Sequence, residues 1–437
     1  MTPAVLQSSS SPCLNAPQIH QLPNGLTIVA EQLPVEAVSL NIWLGMGSAV
    51  EPDTINGMAH FLEHMIFKGT QRLQSGEFER QVEERGAVMN AATSQDYTHY
   101  YITTAPQEFA ALAPHQIEVV SNALIPDDAF ERERLVVLEE IRRSHDNPRR
   151  RTFSEAMQLA FDRLPYRRPV LGPAEVVAGL SAEQMRQFHA QWYQPRSMTA
   201  AVVGNLPVEE LVRIVAEGFE EAIAHRPFEI SPLPSAPTTQ AQEPSFEQVV
   251  RRDLVDDGLQ QARLVMMWRT PGIADLEESY PFDVLASILG RGRTARLIRD
   301  LREERRLVSR IAVSNLSYYH QGLFYISAEL PAEHLQEVEE AIAQHIAQLH
   351  VDPATDSELS RVRTLVANRF VFANESPSDR SGLYGYYHVM TGGLDAAIRY
   401  PDRIQSIQVD ALKAAAQTYL SPNAYAVLTM RPSTTPV

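Results

Sequence analysis

The chain has 437 residues, a formal net charge of −16 and 44% hydrophobic residues. The composition is that of a globular protein, and the length indicates more than one domain. The acidic balance argues against a nucleic-acid partner, because binding to phosphates needs clustered lysines and arginines. No apolar run approaches the roughly 20 residues of a membrane-spanning helix, and the single cysteine, Cys13, excludes an intramolecular disulfide.

The first 16 residues are predicted to form a flexible tail. They contain no arginine, and they lack both the basic and the apolar segment of a secretory signal, which argues against a targeting peptide. These features favour a cytoplasmic protein from a bacterium.

The segment with the most chemical information spans residues 58–65, MAHFLEHM. On a helix, the imidazoles of His60 and His64 leave the same face, because the two residues are four apart, and Glu63 lies beside them. Two neutral imidazoles and a nearby carboxylate that acts as a base are typical of a catalytic zinc site. The pattern H-x-x-E-H is a signature of inverzincin metallopeptidases. A third protein ligand must come from another segment.

Two segments that follow the motif are predicted to be strands. Residues 88–94 and 99–104 are rich in β-branched and aromatic side chains. An exposed edge of this kind can pair with an extended peptide through backbone hydrogen bonds. The alternative is an ordinary internal strand.

Residues 128–147 have the pattern of an amphipathic helix. Glu133 and Glu140 are seven residues apart and share one face of this helix, so the segment is the best source of a third ligand. A carboxylate on a helix is more often only a solvated charge. The apolar residues of the helix are Leu135, Val136, Leu138 and Ile141.

The chain contains an internal repeat at a spacing of about 225 residues. Residues 40–47 align with residues 265–272, and residues 180–195 align without a gap with residues 407–422. Each copy alternates strand and helix patterns, which indicates an α+β fold built by duplication. We expect two homologous mixed α/β domains, each with a mostly antiparallel sheet flanked by helices.

The repeat also predicts the domain boundaries. We expect an N-terminal zinc-bearing domain at 17–230, a Pro-rich linker at 231–246 and a C-terminal non-catalytic domain at 247–437. The second copy has lost the metal site, so one chain should bind one zinc ion. Its residues at the positions of His60, Glu63, His64 and Glu140 are Leu285, Ile288, Leu289 and Ala367.

Two segments, HFLEHMIFKGT at 60–70 and ERERLVVLEEI at 131–141, resemble the zinc-bearing half of the M16 (pitrilysin-like) peptidases. The nearest group is that of the mitochondrial processing peptidase beta subunit and its bacterial relatives, and the resemblance runs the length of the chain. It implies a zinc metalloendopeptidase that cleaves extended or unfolded peptides, with Glu63 as the general base.

The resemblance also implies roles for further residues. Glu140 would be the third zinc ligand, and Glu133 would be a carboxylate that supports the site, whereas Glu139 would point off that face of the helix. A peptide-binding edge strand would contain Asn90, Ala91 and Thr93.

The chain departs from the family pattern in its second half. Arg302 stands where the family has an arginine that contacts the substrate and the oxyanion, but Ser309 occupies the position of the family's tyrosine. A serine hydroxyl is too short to reach the same point. Either a zinc-free homologue supplies the complete Arg–Tyr pair in a heterodimer, which we favour, or the chain forms a homodimer with reduced activity or a different donor.

The charge and the ligand set bear on the substrate and on the alternative function. The acidic charge would favour basic peptides as substrates if it lines the binding chamber. The alternative to a peptidase is a non-catalytic structural or assembly subunit, related to the core proteins of respiratory complexes. Such proteins lose zinc ligands, so the complete set in this chain favours catalysis.

Overall fold

The structure, a computed structural model, describes residues 16–226, 232 and 241–433. Two β-sheets flanked by helices form its framework. The predicted tail before residue 16, with Cys13, lies outside the described residues. The same holds for residues 231 and 233–240 of the predicted linker.

Six strands form the N-terminal sheet. They are β1 (Gln18–Gln21), β2 (Thr27–Gln32), β3 (Val38–Leu44), β4 (Val88–Thr93), β5 (Thr98–Thr104) and β6 (Met198–Gly204). Their order in the sheet is β1-β2-β6-β3-β5-β4, which leaves β4 at one edge. Strands β2 and β6 run parallel, and the other neighbouring pairs are antiparallel.

Five strands form the C-terminal sheet. They are β7 (Val250–Val255), β8 (Ala262–Pro271), β9 (Arg310–Ser317), β10 (Gln321–Leu330) and β11 (Ala426–Arg431). Their order is β7-β11-β8-β10-β9, and β7 and β11 run parallel. The order β7-β11-β8-β10-β9 corresponds strand by strand to β2-β6-β3-β5-β4 of the first sheet. The expected fold of two mostly antiparallel sheets flanked by helices is therefore confirmed.

The helices lie before, between and after these strands. They are α1 (Met58–Met65), α2 (Glu77–Glu84), α3 (Pro106–Asn122), α4 (Asp127–Asp146), α5 (Pro148–Ala160), α6 (Ala174–Gly179), α7 (Ala182–Trp192), α8 (Val208–Ala224), α9 (Leu276–Gly290), α10 (Leu335–Leu349), α11 (Asp356–Phe372), α12 (Pro377–Thr391), α13 (Asp395–Ser406) and α14 (Val409–Tyr419). Among the residues that the structure describes, none of the helices combines the length and the apolar character needed to cross a membrane.

Each sheet packs one face against helices of its own half. In the N-terminal half, Phe61 and Met65 of α1 are buried in the same core as Ile42 of β3. Full burial of such a side chain contributes roughly 1.5–3 kcal/mol. In the C-terminal half, Leu285 and Leu289 of α9 are fully buried, which confirms that the counterpart of the metal-binding helix is packed as core.

The other face of each sheet is covered by a helix from the opposite half. Helix α12 packs across β3 and β6, and its Tyr384 lies in one apolar cluster with Val29 and Val203. Helix α5 packs on β8 and β11, where Met157 joins a cluster with Met267. The two halves therefore exchange a helix, which the sequence repeat does not show.

Buried carboxylates add polar links between the halves. Glu31 of β2 accepts hydrogen bonds from Arg380 at 2.8 Å and from Tyr384 at 2.6 Å, both in α12. Asp96, which follows β4, accepts a bond at 2.9 Å from the backbone amide of Tyr319. Burial raises the pKa of Asp96 to about 6.

Only two of the four apolar residues predicted for the amphipathic helix α4 pack against the core. Val137 and Ile141 are buried and Leu138 is partly buried, but Leu135 and Val136 are exposed. At about 100° per residue, Leu135 lies roughly 160° around the helix from Val137. A run of apolar residues therefore covers more than one face, and only part of it packs inward.

Candidate metal centre

Helix α1 is anchored at its start by a buried carboxylate. Glu51 accepts hydrogen bonds from the backbone amides of Gly57 at 2.9 Å and Ala59 at 2.6 Å, which have no partner within the first turn. Gly57 has a φ of 100°, a conformation that favours glycine, and a Cβ there would lie 2.7 Å from the carbonyl oxygen of Leu171. Sequence reasoning missed Glu51, which lies outside the motif and precedes the helix by seven residues.

The structure brings His60, His64 and Glu140 together, with ligand atoms that all lie within 4.8 Å of one another. The Oε2 atom of Glu140 is 3.5 Å from Nε2 of His60 and 3.6 Å from Nε2 of His64. Ligand atoms around a tetrahedral zinc ion, at about 2.0–2.2 Å from the metal, lie roughly 3.3–3.6 Å apart. The donor set and its spacing therefore fit zinc.

The protonation of His60 suits a metal ligand. Burial, helped by the neighbouring His64, lowers the pKa of His60 to about 3. The imidazole is therefore neutral at pH 7, which is the form that binds a metal.

Glu133 orients one of the two histidines. Its Oε1 lies 3.0 Å from Nδ1 of His64, and its Oε2 lies 2.7 Å from Nζ of Lys68. Burial opposes the charged form of Glu133, but the hydrogen bonds from Lys68 and His64 outweigh it and lower the pKa of Glu133. A carboxylate on Nδ1 leaves Nε2 of His64 free for the metal.

Glu139, next to Glu140 in sequence, faces away from this cluster. Its carboxylate bonds to Arg142 at 2.8 Å and to Arg143 at 3.0 Å, and these contacts lower the pKa of Glu139 to about 2. Neighbouring glutamates on α4 therefore have separate surroundings.

Glu63 lies in the same cleft as the cluster and is held by Thr93. The Thr93 hydroxyl donates a 2.5 Å hydrogen bond to Oε2 of Glu63. Burial raises the pKa of Glu63, although the bond from Thr93 opposes this effect. A carboxylate with a raised pKa is better suited to take up a proton at neutral pH than an exposed one.

Strand β4 has one unpaired edge. It pairs with β5 and is the outermost strand of its sheet among the described residues. Its final residues, Ala92 and Thr93, line the same cleft as the candidate zinc ligands His60 and Glu140. Asn90 and Ala91 lie on the same strand but do not line this cleft, and the Asn90 side chain accepts a hydrogen bond from the amide of Ala91.

The cleft has a volume of about 550 Å³. His60, Glu63 and Glu140 line it together with the start of α5 and the loop 166–171. The charged residues on the α5 and loop side are arginines: Arg149, Arg150, Arg167 and Arg168. The expectation of basic substrates depended on acidic groups in the chamber, and this wall does not meet that condition.

Arg302 does not lie in the cleft of its own chain. It belongs to a π-helical segment, Ile298–Glu304, and its guanidinium bonds to Glu303 at 2.7 Å. The Ser309 hydroxyl lies within hydrogen-bond distance of two acceptors, Oε1 of Gln261 at 2.6 Å and the carbonyl oxygen of Glu329 at 3.0 Å. Neither residue lines the metal cleft.

Two family models match the chain. Residues 27–174 match "Insulinase (Peptidase family M16)", and residues 179–366 match "Peptidase M16 inactive domain", so that together they cover more than half of the sequence. The boundary between the matches falls in α6, after the segment that contains the candidate ligands His60, His64 and Glu140.

Individual proteins show the same similarity. The chain is 28% identical to an uncharacterised zinc protease of Mycobacterium tuberculosis, over 93% of this chain and 91% of the relative. It is 26% identical to a probable mitochondrial-processing peptidase subunit beta of Arabidopsis thaliana, over 99% of this chain and 82% of the relative. A crystal structure of a protease from Helicobacter pylori has the same fold, with a TM-score of 0.88 at 24% identity over 95% of this chain and 99% of that one. The metal cluster thus lies in a chain that belongs to the M16 peptidase family, whose relatives are named zinc proteases.

Proposed function

We propose that this chain is a zinc-dependent endopeptidase that hydrolyses extended or unfolded peptides. The observation that carries the proposal is the cluster of His60, His64 and Glu140 at zinc-ligand spacing, with Glu63 in the same cleft. A structural subunit has no need for a complete ligand set, a base and a supporting carboxylate in one place.

The chemistry of the site follows from its side chains. A zinc ion held by His60, His64 and Glu140 would act as a Lewis acid on water and on the scissile carbonyl. Glu63 accepts the proton of the attacking water and passes it to the leaving amine. The hydrogen bond from Thr93 fixes Oε2 of Glu63, which leaves Oε1 for this proton transfer.

Strand β4 provides the means to hold the substrate. An extended peptide that pairs with its free edge gains backbone hydrogen bonds that do not depend on side chains. Ala92 and Thr93 then bring the peptide to the cleft that Glu63 lines. A compact folded protein cannot offer a free strand, so unfolded segments are the expected substrates.

The proposal includes a second chain. Arg302 is turned towards Glu303 and is absent from the cleft of its own chain, and Ser309 replaces the tyrosine that the family resemblance leads one to expect. A zinc-free homologue that supplies an Arg–Tyr pair would complete the site. The test is a peptide digest with this chain alone and with such a homologue added. Equal cleavage in both would contradict the need for the homologue and would leave a homodimer or a monomer.

The experiment that tests the peptidase assignment combines metal content with turnover. Protein purified without chelator should carry about one zinc ion per chain and cleave unstructured peptides. Glu63→Gln should keep the zinc and lose roughly 10²–10⁴-fold in turnover, because an amide cannot accept the proton. His64→Ala should lose both zinc and turnover. Wild-type protein without bound metal would contradict the proposal and favour a structural subunit.

Glu139, the neighbour of the proposed ligand Glu140 on α4, provides a control. Glu139→Gln removes a carboxylate from α4 without changing the cleft, because Glu139 bonds to Arg142 and Arg143. This variant should keep both zinc and turnover. Loss of activity in Glu139→Gln equal to that in Glu63→Gln would show that turnover is sensitive to carboxylates outside the cleft, and it would contradict the assignment of Glu63 as the base.

A further inference from the structure

One wall of the metal cleft concentrates positive charge in a protein with a net charge of −16. We define this arginine wall by four residues that line the cleft: Arg149, Arg150, Arg167 and Arg168. Two of them share an ion-pair partner, since Asp53 lies 3.0 Å from Arg167 and 2.8 Å from Arg168. The buried Glu51 also interacts electrostatically with Arg168, but burial raises the pKa of Glu51 to about 7, so at neutral pH its carboxyl balances the second positive charge only in part.

The other two arginines come from the start of α5. Arg149 lies 3.4 Å from Glu329, but Glu329 also lies 3.4 Å from Arg263 and is shared. Arg150 is exposed, and no carboxylate partner for it is found in the part of the chain that the structure describes. The acidic groups of the cleft, Glu63 and Glu140, are on the metal side and have other roles. The wall thus has more guanidinium groups than local carboxylates.

Arg150 and Ser154 form a pair that can bind an anion. They are four residues apart on α5, share one face of the helix and both line the cleft. A guanidinium matches the geometry of a carboxylate, and a nearby hydroxyl supplies a further donor. The first turn of the 13-residue helix, capped by Asn147, adds the positive end of the helix dipole.

We propose that the arginine wall binds a carboxylate of the substrate peptide, with Arg150 as the main contact and Ser154 as a second donor. The carboxylate is an acidic side chain or the C-terminal group of the peptide. This inference rests on the proposed peptidase function, because a peptide paired with β4 passes the cleft at Ala92 and Thr93. The chain would then select peptides with a negative charge near the scissile bond.

The test uses short, unstructured peptides that differ in one group. In one arm, capped peptides carry Glu, Gln or Arg at each position in turn; in the other, one sequence ends in a free acid or an amide. Wild-type cleavage should favour Glu over Gln at one position, or the free acid over the amide, by roughly tenfold in kcat/KM. The preference should weaken as salt is raised, because the contact is partly exposed.

A charge reversal gives the second measurement. Arg150→Glu should abolish the preference for a carboxylate and favour the Arg peptide instead. Arg213→Glu is the matched control, since Arg213 lies on α8, is exposed and does not line the cleft. It should keep the wild-type preference. Zinc content and thermal unfolding of both variants establish that they are folded.

A measurement of peptide binding tests the carboxylate subsite independently of peptidase activity. The zinc-loaded Glu63→Gln variant should bind the Glu or free-acid peptide roughly tenfold more tightly than its neutral partner, measured by fluorescence anisotropy. Absence of any carboxylate preference in both cleavage and binding would overturn the arginine wall as a subsite. Preferential binding without cleavage by the wild type would support the subsite and contradict the endopeptidase.

Discussion

Replacing Glu133 with glutamine should weaken zinc binding by about 5- to 30-fold without unfolding the protein. Glu133 contacts Nδ1 of His64 at 3.0 Å and Nζ of Lys68 at 2.7 Å. A hydrogen bond to a charged group contributes about 1.5–3 kcal/mol, and a neutral one contributes about 1 kcal/mol. Glutamine keeps the shape but loses the charge, so about 1–2 kcal/mol of support for the metal-binding form of His64 should disappear.

The assay is competition for zinc against a chromogenic chelator at fixed pH and salt. Glu139→Gln, on the same helix but bonded to Arg142 and Arg143, should bind zinc as the wild type does. A zinc affinity of Glu133→Gln within twofold of the wild type would refute the reasoning that Glu133 holds His64 in its metal-binding orientation. Equal weakening in both variants would assign the effect to helix α4 as a whole.

Three further outcomes are expected. Removal of metal with a chelator should lower the unfolding temperature of the wild type by a few degrees and leave that of His64→Ala unchanged, since zinc at 100 times its Kd stabilises by about 2.7 kcal/mol. Because burial raises the pKa of Asp96 to about 6, the folded state binds more protons than the unfolded state between about pH 4 and 6. The contribution of Asp96 to the free energy of unfolding therefore falls as pH rises through this window. In Asp96→Asn, the free energy of unfolding, measured with urea at a series of pH values, should fall less across the window, by up to about 3 kcal/mol. Gly385→Ala should destabilise the protein by about 1–3 kcal/mol, because a Cβ there would collide with the ring of Trp43.

Each of these outcomes has a control or a contrary result. A chelator that shifts His64→Ala as much as the wild type would mean that the metal binds elsewhere. A pH profile of Asp96→Asn parallel to that of the wild type would show that other buried acids cause the slope. Gly393→Ala is the control for Gly385→Ala, because a Cβ at Gly393 meets nothing within 4 Å, and it should leave stability unchanged.

The sequence predicted those parts of the site that depend on local geometry. His60, Glu63 and His64 share one short helix, so their spacing in the sequence is enough to place the three side chains close together. Glu140 comes from another helix, and its role was implied by the family resemblance, although its spacing from Glu133 placed both on one face. The duplication was visible because Trp43 and Trp268 occupy matching strands, β3 and β8.

Features that depend on packing between distant segments were not predicted. The sequence repeat does not tell which sheet α5 and α12 cover, so the exchange of these helices between the halves was missed. The exposed positions of Leu135 and Val136 have the same origin, because burial depends on what lies against the helix. The arginine wall was missed because its two pairs are about 18 residues apart and meet only through the turn after α5.

The exchange of α5 and α12 limits how early the N-terminal half can finish folding during synthesis. Val29, Ala201 and Val203 lie in strands complete by Gly204, but the helix that covers them ends at Thr391. Because synthesis proceeds at about 5–20 residues per second, this apolar face stays uncovered for roughly 10–40 s. During that time it is open to chaperones and to aggregation, so a chain that stops before α12 should be recovered as insoluble protein.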